Sequence, residues 1–128
     1  MLNRDFNISI VLTGTKSEKS LIQEITSKMQ GKFIDLCGEL TIRELAMLIE
    51  KSRLLLTVDS AVMHIATAVK TPLIALFGFT NPVLWGPYPN RDNQIVIFKS
   101  PDKRLCKDNM KNIEVEDVQN AVLKLSLF

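Results

Sequence analysis

Histidine, tryptophan and tyrosine occur once each in this 128-residue chain, cysteine twice, and neither sign of charge dominates. Each scarcity removes a class of function. Cys37 and Cys106 stand far apart, with no CxxC spacing and no cluster of histidines to join. The expectation is free thiols in a reducing compartment and no metal site. Lys+Arg number 16 against 14 Asp+Glu, and the formal net charge of +2 supplies no field to attract nucleic acid or an anionic membrane surface. One Trp, one Tyr and six Phe leave little for stacking on unpaired bases. No apolar run approaches the ~20 residues needed to cross a bilayer. The N-terminal "MLNRDFNISI" has neither the apolar core nor the cleavage site of a signal peptide. The chain is therefore expected to be cytoplasmic, without a transmembrane segment and without a nucleic-acid partner.

What remains is an ordinary globular composition, 46% hydrophobic and 23% charged, in one domain's length of chain. A single domain over residues 1–128 is expected. Read for period, β-branched runs alternate with amphipathic segments. "ISIVLTG" (8–14), "KFIDLCG" (32–38), "RLLLTV" (53–58), "TPLIALFG" (71–78) and "QIVIFK" (94–99) read as strands. The spacing predicts helices over 17–31, with Leu21, Ile22, Ile25 and Met29 on one face, over 41–52, over 60–70 and over 114–128. Such a βαβα alternation implies an α/β fold, a parallel sheet of five strands in three layers with helices on both faces. The near-continuous apolar strands "LLLTV" and "LIALF" suit strands covered on both sides. Residues 78–93, rich in Pro and Gly and carrying Trp85 and Tyr88, read as a long loop.

In open sheets of this class, ligands bind beyond the carboxyl ends of the strands. Three turns qualify: "GTKSE" after strand 1, "DSAVMH" after strand 3 and "GFTNP" after strand 4. Asp59 and Ser60 stand where strand 3 hands over to a helix, whose first amides lack intrahelical acceptors and favour an anion such as phosphate. Equally, either residue would serve as an N-cap worth about 1 kcal/mol. His64 suits a packed histidine as well as a pocket wall. Glu18 suits a charge placed near a helix N-terminus, and Trp85 and Tyr88 suit loop packing as well as stacking on a substrate.

Taken as a whole, "DSAVMHIATAVKTPLIALFGFTNPVLWGPY" resembles the family-nine glycosyltransferases, the lipopolysaccharide heptosyltransferases. Their pattern runs approximately D-[ST]-G-x-x-H-x-A-A-A-x-x-x-P-x-x-x-x-[FY]-G-x-T-x-P-x-x-x-G-P-Y. "VLTGTKSE", "LCGELTIRELAMLIEKSRLLLTVDS" and "IEVEDVQNAVLKL" are similar to the flanking segments of that family. The resemblance implies a Rossmann-like domain, the C-terminal half of a GT-B fold, that binds a sugar nucleotide, typically ADP-heptose, as substrate with no further cofactor. Asp59 would then meet donor-sugar hydroxyls or lie beside the diphosphate, with Ser60 and Ala61 amides on phosphate. His64, Gly14 and Thr80 would line the same pocket, Glu18 would take the ribose hydroxyls, and Leu40 and Thr41 would lie beside the base. The reaction so implied is inverting transfer for lipopolysaccharide core synthesis, at the cytoplasmic face of the inner membrane, in which this half stabilises the leaving diphosphate.

The sequence departs from the family at Ala61 (commonly Gly), Val62, Phe79 and Asn81, and an Ala61 Cβ would crowd a close-lying phosphate. Only seven residues precede "ISIVLTG", where the family has a further strand and helix carrying a phosphate-contacting loop and a lysine. The resemblance thus implies a domain shortened at its N-terminus. Its partner would be the acceptor-binding half, which carries the catalytic base, in the same chain or a separate one. Closing the sheet over the absent strand predicts the order 2-1-3-4-5. Two other readings stand beside this one. The first is a non-catalytic nucleotide-binding module. The second is a phosphoacceptor receiver domain built on Asp59, Thr80 and Lys99, disfavoured because "TGTKSE" offers no acidic pair for Mg²⁺.

Overall fold

The computed structural model describes residues 8–100 and 104–127, so the last residue of the predicted closing helix lies outside the described residues. The chain divides into two compact units, Met1–Leu45 and Ala46–Phe128. In the first, β1 (Ile10–Leu12) and β2 (Phe33–Asp35) pair in parallel, with Ile10 opposite Phe33 and Leu12 opposite Asp35. Between them run a 3-10 turn (Lys16–Glu18) and α1 (Lys19–Lys28). The ladder continues past both strands, since Leu36 N donates to Leu12 O at 2.9 Å and Gly38 N to Gly14 O at 2.8 Å. Gly38 makes this possible. Its φ is 76°, and a Cβ there would fall 2.7 Å from Lys16 Cγ and 3.1 Å from Lys16 Cα. Of the predicted apolar face of α1 only Ile22 is buried, whereas Leu21 and Ile25 are exposed. The helix also stops earlier than expected, with Met29 already extended.

The helix α2 (Ile42–Lys51) leads into the second unit. There β3 (Leu55–Val58), β4 (Leu73–Phe77) and β5 (Gln94–Phe98) form a parallel sheet in the order β3-β4-β5. The central strand is paired on both edges, and Leu73, Ile74, Ala75 and Phe77 have no accessible surface. This explains why "LIALF" does not alternate. Against it pack α3 (Ala61–Val69), through Met63 and Ala66, and α5 (Val115–Leu125), through Ala121 and Val122. The C-terminal end of α3 turns on Lys70 at φ 65°. Its carbonyls accept from the loop before β5: Arg91 Nη1 donates to Thr67 O at 2.5 Å and Asn93 Nδ2 to Lys70 O at 3.2 Å.

Five parallel strands and the βαβα order follow the sequence expectation. The ladder of the first unit is β1-β2 and that of the second is β3-β4-β5. Apolar pattern identifies a strand, yet which backbone lies beside it is decided by non-local pairing. The long loop 78–93 also contains one helical turn, α4 (Pro82–Trp85), started by Asn81, whose side chain accepts from Val83 N at 2.9 Å. A second 3-10 segment, Lys107–Asn112, was not anticipated.

That segment holds the chain leaving β4. Asn109, 2% exposed, donates from Nδ2 to Gly78 O at 3.0 Å and to Arg104 O at 2.7 Å. Met110 fills the space beside Gly78, where a Cβ would fall 2.5 Å from Met110 Cγ. Three helix starts share another device. Thr15 N and Oγ1 donate to Glu18 Oε2 at 2.7 and 2.8 Å, and Thr41 N and Oγ1 both donate to Glu44 Oε2 at 2.7 Å. Glu114 N donates to Asp117 Oδ2 at 2.7 Å. These are the capping boxes of [ST]-x-x-E sequences and a close relative of them. The Thr15 amide and then its hydroxyl hold the Glu18 carboxyl below its ordinary value, and the corresponding Thr41 groups do the same for Glu44. For Asp117 the Lys99 ammonium acts first, at 2.6 Å, followed by the Glu114 amide.

Three outcomes follow for stability. Phe77→Ala is expected to lower the unfolding free energy by about 3–5 kcal/mol, read from urea denaturation. Asn109→Ala leaves the Gly78 and Arg104 carbonyls without that donor and is expected to cost about 1–3 kcal/mol in the same experiment. Because the three carboxyls are depressed in the folded state, their contribution is complete above the unfolded values and is lost as pH falls through the folded ones. The melting temperature should therefore drop on acidification through the carboxylate range. Glu44→Gln, which keeps the cap but does not titrate, should flatten that drop.

Candidate functional site

The register of β3 and β4 sets two strand ends side by side. Val58 pairs with Leu76, and one step further Asp59 N donates to Leu76 O at 3.1 Å. From there Asp59 and Ser60 lead into α3, while Gly78, Phe79 and Thr80 lead into α4. The two turns meet at their side chains: Thr80 Oγ1 donates to Asp59 Oδ2 at 2.5 Å. That is the short end of the range, about 2.5–2.7 Å, for a hydroxyl donating to a carboxylate. Both residues are half-buried.

Ser60 occupies the N-cap position of α3 in extended conformation (φ −161°, ψ 168°), but its side chain does not cap the helix. Its hydroxyl lies instead 3.3 Å from Thr57 Oγ1. Of the neighbouring Asp59 carboxylate, Oδ2 accepts from Thr80. Of the two expectations for this pair, the side-chain cap is therefore not what forms. The first helical hydrogen bond runs from Met63 N to Ser60 O at 3.1 Å. The amides ahead of it, at Ala61 and Val62, have no intrahelical acceptor, and the positive end of the helix dipole lies there. Ala61 and His64 are exposed, three residues apart in this first turn and so on one face. His64 is thus not a packed core histidine.

In the first unit, Gly14 and Glu18 lie on the turn after β1. One Glu18 oxygen already holds two donors from Thr15. Cys37 is fully buried beneath this turn, and its Sγ donates to Thr15 O at 3.1 Å. Burial, and next the Asp35 carboxylate, push the Cys37 thiol above its ordinary value. It is a packing residue. Leu40 is half-buried, and Thr41 is the N-cap of the second capping box. Among the predicted residues, then, Asp59, Ser60, Ala61, His64 and Thr80 share the paired strand ends of the second unit. Gly14, Glu18, Leu40 and Thr41 belong to the turns of the first.

Trp85 and Tyr88 are 60% and 87% exposed, so they are not loop packing. Lys99 is engaged with Asp117 of α5, not with the Asp59 turn. Among the described residues no group of three or more His, Cys, Asp or Glu is placed to hold a metal ion, and no helix is long and apolar enough to cross a membrane. Sequence reasoning missed Asn109, which anchors the Gly78 turn from 31 residues away. No local pattern marks it.

This chain is similar to known proteins in both sequence and fold. The lipopolysaccharide core heptosyltransferase OpsX of Haemophilus influenzae is 30% identical over 95% of this chain and 40% of its own length. Lipopolysaccharide heptosyltransferase 3 of Escherichia coli K12 is 34% identical over 95% of this chain and 38% of its own. The chain thus spans about two fifths of these relatives. A solved family 9 glycosyl transferase from Veillonella parvula superposes with TM-score 0.82 at 28% identity, covering 94% of this chain and 37% of that one. The E. coli heptosyltransferase WaaC, solved with ADP, gives 0.78 at 21% identity over 97% of this chain and 36% of that one, a likeness of fold. The family Glycosyltransferase family 9 (heptosyltransferase) matches residues 2–113, and with it the receiver reading gives way. The chain with the Asp59–Thr80 pair at its strand ends belongs to glycosyltransferase family 9, the heptosyltransferases.

Proposed function

We propose that this chain binds the nucleotide-sugar donor of an inverting ADP-heptose:lipopolysaccharide heptosyltransferase, as the Rossmann-like C-terminal domain of a GT-B enzyme. The observation that carries the reading is the start of α3. Its first amides lack intrahelical acceptors, Ser60 supplies no side-chain cap, and the carboxylate of the preceding Asp59 accepts from Thr80. Such a helix start favours a diphosphate, and a carboxylate next to it accepts hydrogen bonds from sugar hydroxyls. Family membership and the solved WaaC structure containing ADP support an adenine nucleotide as the diphosphate's carrier.

In this reading the amides of Ser60 and Ala61 hold phosphate, Asp59 takes the sugar, and His64 and Thr80 border them. Gly14, Glu18, Leu40 and Thr41 serve the nucleoside, Glu18 through the oxygen that Thr15 leaves open. During transfer the acceptor hydroxyl loses its proton to a base, attacks the anomeric carbon, and the bond from that carbon to the nucleotide diphosphate breaks. The contribution of this domain is electrostatic, since helix-start amides stabilise the charge that accumulates on the departing diphosphate. The base and the acceptor site belong to the acceptor-binding half. The working location is the cytoplasmic face of the inner membrane.

The test is an amide NMR titration of the 128-residue chain with ADP, ADP-glucose and UDP. Binding to one half of a bipartite site is expected near a dissociation constant of about 1 mM, or ~4 kcal/mol. Shifts at Ser60 and Ala61 with ADP, stronger than with UDP, are the expected outcome, with the shifts around the β1 turn lost in Glu18→Ala and the additional shifts that ADP-glucose causes lost in Asp59→Ala. A folded chain that shifts with none of the three overturns the reading.

A further inference from the structure

Thr80 reads, by its position after β4, as one more residue lining the pocket, yet its hydroxyl is already used. It donates to Asp59 Oδ2 at 2.5 Å. The turn that carries it is anchored on both sides. Upstream, the Gly78 carbonyl is held by Asn109 and the space beside Gly78 is filled by Met110. Downstream, Asn81 accepts from Val83 N and Pro82 opens α4. Asp59 is equally fixed, through its amide on Leu76 O in the β3-β4 register. Two turns locked independently thus deliver one hydroxyl to one carboxylate oxygen.

We propose that Thr80 is a positioning residue for the donor sugar, not a donor contact: its hydroxyl fixes Asp59 through Oδ2 and reserves Oδ1 for a hydroxyl of the bound sugar. The inference rests on the donor-binding reading above and deepens it. A carboxylate has two oxygens and rotates about one terminal torsion, so a single short hydrogen bond to one oxygen chooses the orientation of the other. Valine at position 80 fills the same space without the proton. Serine supplies the proton without the methyl group. The helix-start amides that hold phosphate are untouched by either change, so ADP and the ADP-sugar should respond differently.

The experiment titrates the full chain with ADP and with ADP-glucose, followed by amide NMR, for wild type, Thr80→Val, Thr80→Ser, Asp59→Ala and the Asp59→Ala/Thr80→Val double variant. In Thr80→Val the affinity for ADP-glucose is expected to fall about fivefold, the loss of one charge-assisted hydrogen bond's guidance, with ADP unchanged within about twofold. Thr80→Ser should restore wild-type behaviour. In the Asp59→Ala background the valine substitution should have no further effect, because a residue acting through Asp59 cannot add to its removal. Equal weakening of both ligands in Thr80→Val, or additive losses in the double variant, overturns the positioning role in favour of a structural or direct one. Unchanged ADP-glucose affinity in a folded Thr80→Val variant overturns it as well. A wild-type chain that binds neither ligand overturns the donor reading itself, and this inference with it.

Discussion

The geometry of the second unit depends on the pairing of β4 along both of its edges. With Leu73, Ile74, Ala75 and Phe77 out of contact with water and both edges hydrogen-bonded, a slip of the strand would break two ladders at once and misfit side chains as unequal as Ala75 and Phe77 in a packed core. That fixed register is what makes Val58 and Leu76 end level with each other and sends Asp59 and Thr80 off adjacent strand ends. The site inherits its precision from the core.

Around that strand, polar side chains satisfy identifiable backbone carbonyls. Asn109 takes the Gly78 carbonyl, Thr71 donates to Ile49 O at 2.7 Å, and Arg91 and Asn93 take the last carbonyls of α3. Buried or half-buried carbonyls without such donors would each be costly. The N-terminal end of α3 is the contrast. Ser60 stands at its N-cap without a side-chain cap, its hydroxyl 3.3 Å from Thr57 Oγ1, and Asp59 Oδ2 accepts from Thr80.

The capping boxes at Thr15/Glu18 and Thr41/Glu44 bear on how a sequence motif is interpreted. One residue of each box, Glu18 in the first and Thr41 in the second, falls at a position where the family resemblance places a ligand contact. In the structure they first secure the ends of helices. The two roles are compatible for a carboxylate, which has more acceptor capacity than two donors exhaust. A [ST]-x-x-E pattern is legible from four residues, and the threonine three places before each glutamate was the available signal.

The sequence by itself determined the strands and helices, because period and capping are local: "LIALF" had to be a covered strand, "TIRELAMLIEK" an amphipathic helix, and the segment from Asp59 to Tyr88 carried the family pattern. Helix ends shifted by two or three residues, as where α1 stops at Lys28, and the single turn Pro82–Trp85 was hidden in a Pro-rich loop. Tertiary structure alone decided that β4 lies between β3 and β5, that Asp59 turns to Thr80, and that Asn109 braces the Gly78 turn. The physical reason is range. Backbone propensity and side-chain period act over a few residues, whereas each of these outcomes is a pairing between groups distant in the chain, chosen only when burial brings them together.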